Sequence, residues 1–325
     1  MPEDVVLGSA LGMRFEVLGS DARLVELLGG FARHGGSEVR DRVRYEVRAP
    51  QGEHFGELTV NGQSLGLERS MEGIRSSLLR DISARAATSW EGPVVHACAV
   101  TADDRTLMIC GPSGCGKSTL AARLVSEGWA LLAEDLCALG PDGRVQPFPR
   151  PFGLAHSALD LLGKSWESSP PDPLSKHLAD PGFLDSSYCE SPKRPSLMVL
   201  LDAHVDGVRS LSPASGLRWL LERDAISIPD GAALAVAGAM ACSTPWRAVN
   251  RSSMGSDALA AVDVTSRAVL HCRAEEVPEG TVAWIGDEGF LLRPDNTLLH
   301  LNGPAAALGV TWAARSSQRG DVASP

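Results

Sequence analysis

The run Gly111-Pro112-Ser113-Gly114-Cys115-Gly116-Lys117-Ser118 limits what this chain can fold into more than any other feature, because it fits G-x-x-x-x-G-K-[ST] in full. That pattern works only where a strand runs into a glycine-rich turn and the turn runs into a helix. The glycines let backbone N–H groups turn inward around an anion, and the following helix aims its positive end at the same point. Both flanks meet the requirement. Thr106 to Cys110 is a short apolar run suited to a buried strand, and beyond the loop Leu120, Leu124 and Val125 fall at helical spacing, with Gly128 as a stop. The segment is therefore expected to be α/β. Gly111 through Ser118, with Thr119 beside them, are expected to cradle the phosphates of a nucleoside triphosphate, ATP with Mg²⁺. Lys117 would supply a charge to the β- and γ-phosphates, and Ser118 a hydroxyl ligand to Mg²⁺.

The surroundings narrow the chemistry. Trp129 to Leu132 reads as a strand, and Glu134-Asp135 follows it, Glu134 lying seventeen residues after Lys117. That spacing can set a metal-binding carboxylate and a second carboxylate beside the γ-phosphate. The L-S-G-G-Q signature of ABC transporter ATPases is absent, and so is the N-K-x-D that GTPases use for guanine. The 325 residues include 30 Lys and Arg against 40 Asp and Glu, a formal charge of −10, with no long basic run. This balance argues against general nucleic-acid binding, where phosphate neutralisation dominates. The seven cysteines are odd in number, scattered and without a C-x-x-C pair, so free thiols in a reducing compartment are expected. The N-terminus lacks a basic-then-apolar signal, and no apolar stretch approaches the ~18–20 residues that span a bilayer. The chain reads as cytoplasmic, with no membrane partner.

Residues 1–90 read as a small α+β N-terminal unit. Arg42 to Arg48 alternates as a half-buried strand does, and Glu57 to Val60 leads into Asn61-Gly62, a strong hairpin signal. A helix is predicted from Met71 to about Ala87, with Met71, Ile74, Leu78 and Ile82 on one face. Residues 91–275 would form the nucleotide-binding domain, with Val94 to Val100 as a strand ahead of the loop. The Ser- and Pro-rich stretch from Lys164 to Pro195 reads as a long loop with some local helix, from which Lys164 and Lys176 could close over phosphates. Leu197 to Leu201 reads as a buried strand. Ser212 and Asp230 are placed to cap two further helices. The polar residues 316–325 read as a flexible tail.

The stretch from His96-Ala97-Cys98-Ala99-Val100 through the loop to Leu131-Leu132-Ala133-Glu134-Asp135-Leu136 resembles the catalytic domain of the HPr kinase/phosphorylase family and its smaller relatives. Those proteins combine a histidine-bearing strand, a phosphate loop and an adjacent acidic pair. Pro147-Phe148-Pro149-Arg150-Pro151 is similar to the segment that follows in relatives associated with peptide natural products. The resemblance implies a phosphoenolpyruvate-carboxykinase-like α/β core with a mixed sheet, multimers in some relatives, and transfer of the ATP γ-phosphate to a hydroxyl, commonly a serine. It gives Asp135 to Mg²⁺ and makes Glu134 the base, alongside Lys117. The first acidic position is usually Asp in relatives, and Glu is one methylene longer, so the two roles can be exchanged. His96 matches the family histidine near the transferred phosphate, although a lone strand histidine can equally be a hydrogen-bonded core residue. Arg150 could stabilise charge on the transferring group or simply occupy a surface turn.

A second resemblance lies in Gly280 to Ile285, Gly289 to Leu292 and Leu299 to Asn302, which look like the opening of a PqqD-like domain over 276–315. Such domains bind leader peptides as an added strand. The expectation is thus a kinase acting on a peptide or protein hydroxyl, a natural-product precursor peptide being the favoured acceptor. The alternatives are a kinase of free serine or a similar metabolite, and a non-catalytic ATP-binding or peptide-docking regulator.

Overall fold

Strand alternation and one helix cap account for much of the first unit of the chain. In the computed structural model, which describes residues 4–19, 22–32, 40–51, 54–165, 176–250, 272–277, 280–285, 287–295 and 297–301, β1 (Asp4–Ala10) and β2 (Met13–Gly19) form an antiparallel hairpin. Helix α1 (Ala22–Ala32) then carries the chain over to β3 (Asp41–Arg48), which runs parallel to β2. A parallel pair needs such a crossover. The predicted hairpin is β4 (Gly56–Val60) and β5 (Gln63–Glu68), turning on Asn61 and Gly62 at φ 47° and 78°. Helix α2 (Met71–Ser89) starts at Ser70, whose hydroxyl accepts from the Gly73 N–H. It buries Ile74, Leu78 and Ile82 as predicted, and each contributes about 1.5–3 kcal/mol when taken from water.

The predicted single strand from Val94 to Val100 is in fact two. β6 (Val94–Val95) belongs to one sheet and β7 (Ala97–Ala102) to another. The break is a bend at His96, whose N–H still donates to the Ala225 carbonyl on the β6 side. β8 (Arg105–Cys110), α3 (Lys117–Ser126) and β9 (Ala130–Ala133) follow. β10 (Cys137–Ala138) then pairs with β6, and β11 (Phe152–Leu154) leads into the short helix α4 (His156–Leu161). The stretch predicted as a loop holds β12 (His177–Ala179), paired with β11, and one 3₁₀ turn at Pro181–Leu184; residues 166–175 of it lie outside the described residues.

The predicted strand β13 (Leu197–Leu201) is followed by β14 (Val208–Leu211), α5 (Pro213–Glu222), β15 (Ile226–Ser227), α6 (Gly231–Ser243) and β16 (Trp246–Val249). The central sheet has the order β14-β16-β13-β8-β7-β9. Its β16-β13-β8 core is parallel and its flanks are antiparallel, so the protein is mixed α/β. Side-chain alternation divides this sheet between two hydrophobic clusters. Ala97, Ala99, Met108, Met198 and Leu200 face one, which continues into Phe15, Leu28 and Phe31 of the N-terminal unit. Cys98, Val100, Ile109, Val199 and Leu201 face the other, beneath α3 and α4.

Asp230 caps α6 as predicted, its carboxylate accepting from the Ala233 N–H. This helix is apolar all round because α5 packs on one side and a C-terminal sheet on another. That sheet is a meander of β17 (Cys272–Val277), β18 (Gly280–Ile285), β19 (Glu288–Leu292) and β20 (Leu298–Leu301). The last three strands match the predicted runs. β17 escaped prediction because its Cys-Arg-Ala-Glu-Glu-Val sequence is largely exposed and shows no alternation. Residues 302–325, with the tail expected at 316–325, and residues 251–271 lie outside the described residues. Asp230→Ala is predicted to cost about 1 kcal/mol and to lower the thermal midpoint; an unchanged midpoint would show that the cap adds nothing. Among the described residues no helix is long and apolar enough to cross a membrane.

Candidate active site

The loop between β8 and α3 lies at the carboxyl end of a parallel strand, where open α/β sheets leave a crevice for ligands. Gly114 and Gly116 take φ values of 76° and 102°. These are left-handed conformations that side chains disfavour, and they turn the backbone around the start of α3. Lys117 is only 7% exposed, and its Nζ donates to the Gly111 carbonyl at 2.8 Å and the Pro112 carbonyl at 3.2 Å. The ammonium is therefore held inside the loop by the loop's own oxygens.

The two adjacent carboxylates part company. Glu134 is 2% exposed and receives two hydrogen bonds: Ser118 Oγ donates to Oε1 at 2.7 Å and Cys98 Sγ donates to Oε2 at 2.6 Å. Burial pushes its carboxyl above the ordinary value, while the Cys98 hydrogen bond, the Arg150 charge and the Ser118 hydrogen bond pull it back. Burial and the neighbouring Glu134 charge push the Cys98 thiol well up, which keeps it protonated and a donor.

Asp135 adopts φ 73°, and Ser118 bonds Glu134 rather than Asp135. A left-handed backbone costs a non-glycine residue energy, least for Asp and Asn; here it lets consecutive carboxylates reach different partners. Its Oδ1 lies 3.3 Å from His96 Nδ1 and its Oδ2 3.3 Å from an Arg150 Nη. His96 Nδ1 also lies 2.9 Å from the Asp135 carbonyl. A carbonyl only accepts, so Nδ1 carries the ring proton and Nε2 keeps its lone pair. Burial and the nearby Lys117 charge lower the His96 pKa, which favours the neutral ring.

Arg150 is delivered by a segment that runs beside β9. Phe148 N donates to the Leu132 carbonyl and Glu134 N to the Phe148 carbonyl. Phe148 is fully buried and meets Phe31 of α1 edge-on, with ring centroids 5.4 Å apart. Arg150 Nε is buried without a hydrogen-bond partner among the described residues.

These groups surround a cavity of about 200 Å³ whose lining includes Ser113, Gly114, Lys117, Ser118, Thr119, Glu134, Asp135, His96 and Cys98. The predicted loop, acidic pair and histidine are thus brought together; Arg150 is outside the lining and reaches it through Asp135. Of the two loop lysines, Lys176 lines the cavity, whereas Lys164 pairs with Asp185 at 2.9 Å. Cys98 was missed as a site residue. Its position two residues after His96, on the same side of an extended chain, was the available signal.

The donor set suits a hard cation bound with a triphosphate. Ser118 and the two carboxylates offer oxygen ligands, and Lys117 offers the phosphate charge. Among the described residues no three or more His, Cys, Asp or Glu side chains converge as a metal-binding group. Mg²⁺ does not require one, since it is commonly held by one or two carboxylates plus substrate phosphates. No protein-family model matches this chain, and no curated protein matches it.

Proposed function

We propose that this chain is an ATP- and Mg²⁺-dependent phosphotransferase of the HPr kinase/phosphorylase kind, built on a phosphoenolpyruvate-carboxykinase-like core and acting on a hydroxyl of a peptide or protein. The observation that carries the proposal is the division of labour between neighbouring carboxylates at the mouth of the phosphate loop. Glu134 is committed to Ser118, and Asp135 faces His96 and Arg150.

This division favours the exchanged assignment of the acidic pair. Ser118 and Glu134 would hold Mg²⁺, whose charge offsets that of the phosphates when it is bound. Lys117 and the inward backbone N–H groups of the loop bind and orient the triphosphate. Asp135 accepts the proton of the acceptor hydroxyl as that oxygen bonds to the γ-phosphorus and the bond to the β,γ-bridging oxygen breaks, leaving ADP. His96, neutral and fixed through Nδ1, keeps the Asp135 carboxylate oriented. Arg150 holds its charge beside Asp135, 3.3 Å from its Oδ2.

A peptide acceptor also suits the C-terminal sheet. Among the described residues β17 and β20 each pair on one side only, and a strand edge can accept an extended peptide.

The test is incubation of the full chain with Mg²⁺ and ATP labelled in its γ-phosphate, together with serine-containing peptides, or free serine, or no acceptor. Label in the peptides is the expected result. Label only in the small product would move the assignment to a metabolite kinase, and ATP binding without any transfer would leave a regulator.

A further inference from the structure

Beside the phosphate cavity lies a second one of about 120 Å³, and the two share Gly116, Thr119 and Leu161 as walls. Four of the seven residues lining the second cavity are leucines: Leu120 from α3, Leu161 and Leu162 at the end of α4, and Leu201 at the end of β13. Arg123 completes the α3 side, one turn beyond Thr119 and Leu120, with its Nε bonded to Glu127 Oε1 at 3.1 Å. Leu161 is 73% exposed although both cavities use it as a wall.

Resting on the phosphotransferase reading above, we infer that this second cavity receives the nucleobase of the triphosphate and recognises it by stacking and apolar contact, with little discrimination between adenine and guanine. A nucleotide whose phosphates occupy the glycine-rich loop must extend its sugar and base away from it, and the leucine-walled space adjoins the phosphate cavity across their shared walls Gly116, Thr119 and Leu161. Apolar pockets with a few polar groups are the usual setting for flat ligands. The planar guanidinium of Arg123 is the one cationic group in the lining, and such groups stack on aromatic faces. A bound base would cover Leu161 and remove its apolar surface from water.

The weak discrimination follows from the lining chemistry. None of the seven side chains is a carboxylate or an amide. The N–H groups on guanine's edge therefore meet no side-chain acceptor other than the Thr119 hydroxyl. Sites built on hydrogen bonds to an edge can reject an analogue by ~10⁴–10⁵, whereas stacking tolerates any base because every base has a π-face. ATP and GTP are expected to bind within about tenfold of one another.

Calorimetric titration of the full chain with Mg²⁺ and ATP, GTP or inorganic triphosphate tests this. Leu162→Ala, at a partly buried wall of the second cavity alone, should weaken ATP and GTP roughly tenfold and leave inorganic triphosphate unchanged, which also shows that the variant is folded. An equal loss for all three ligands, no loss for the nucleotides, or a preference above ~100-fold between ATP and GTP would overturn the base pocket alone. Failure of all three ligands to bind the unaltered chain would overturn the phosphotransferase reading with it.

Discussion

Lys117→Ala will lower the rate of phosphoryl transfer by about 10²–10³ or more, the range seen when one preorganised charge-stabilising donor is removed. The side chain is nearly buried, and its ammonium already donates to two oxygens, those of Gly111 and Pro112. An arriving triphosphate replaces those carbonyls with a full negative charge, which makes a stronger hydrogen bond. The same contacts also tie the loop together, so the variant is expected to lose some thermal stability, about 1–3 kcal/mol. Rates should therefore be compared well below its thermal midpoint. Transfer within tenfold of the unaltered protein would show that phosphate binds elsewhere.

Asp135→Asn and Glu134→Gln will fail in different ways. An amide at 135 cannot take a proton from the acceptor, and loss of a general base costs ~10²–10⁴ in turnover. Nucleotide affinity in that variant should stay within a few-fold, because Asp135 makes no contact with the loop's Ser118. Glu134→Gln instead puts an NH₂ where the carboxylate accepts from two donors, Ser118 and Cys98. One of those donors is then opposed by another donor in a buried site, so the main loss should be in Mg²⁺-dependent nucleotide binding. Single-turnover rates and binding isotherms on both variants separate the two effects. Retained turnover in Asp135→Asn would return the base role to Glu134.

The strand, glycine-rich turn and helix from β8 to α3 were legible because the motif requires particular residues at fixed spacing. The caps at Ser212 and Asp230 and the Asn61-Gly62 hairpin were legible for the same local reason: a side-chain oxygen or a positive φ is needed there whatever the rest of the fold does. What escaped was set by distant partners. Nothing near His96 in the chain announces that Val94 and Val95 will pair with residues 226–227 while the strand beyond the bend joins another sheet. β17 owes its existence to pairing with β18 rather than to any periodicity of its own. The division between Glu134 and Asp135 depends on a left-handed residue, and residue type permits that conformation without dictating it.

The edge-to-face contact of Phe31 with Phe148 makes the first helix part of the foundation of the acidic pair. Phe148 is hydrogen-bonded on either side of it to Leu132 and Glu134, and Arg150 follows two residues later. Pull α1 away and the strand segment that braces the Glu134 backbone loses its packing partner. The N-terminal unit thus packs beneath residues that would do the chemistry, and cutting it off would leave the loop sequence whole but its carboxylates without that support.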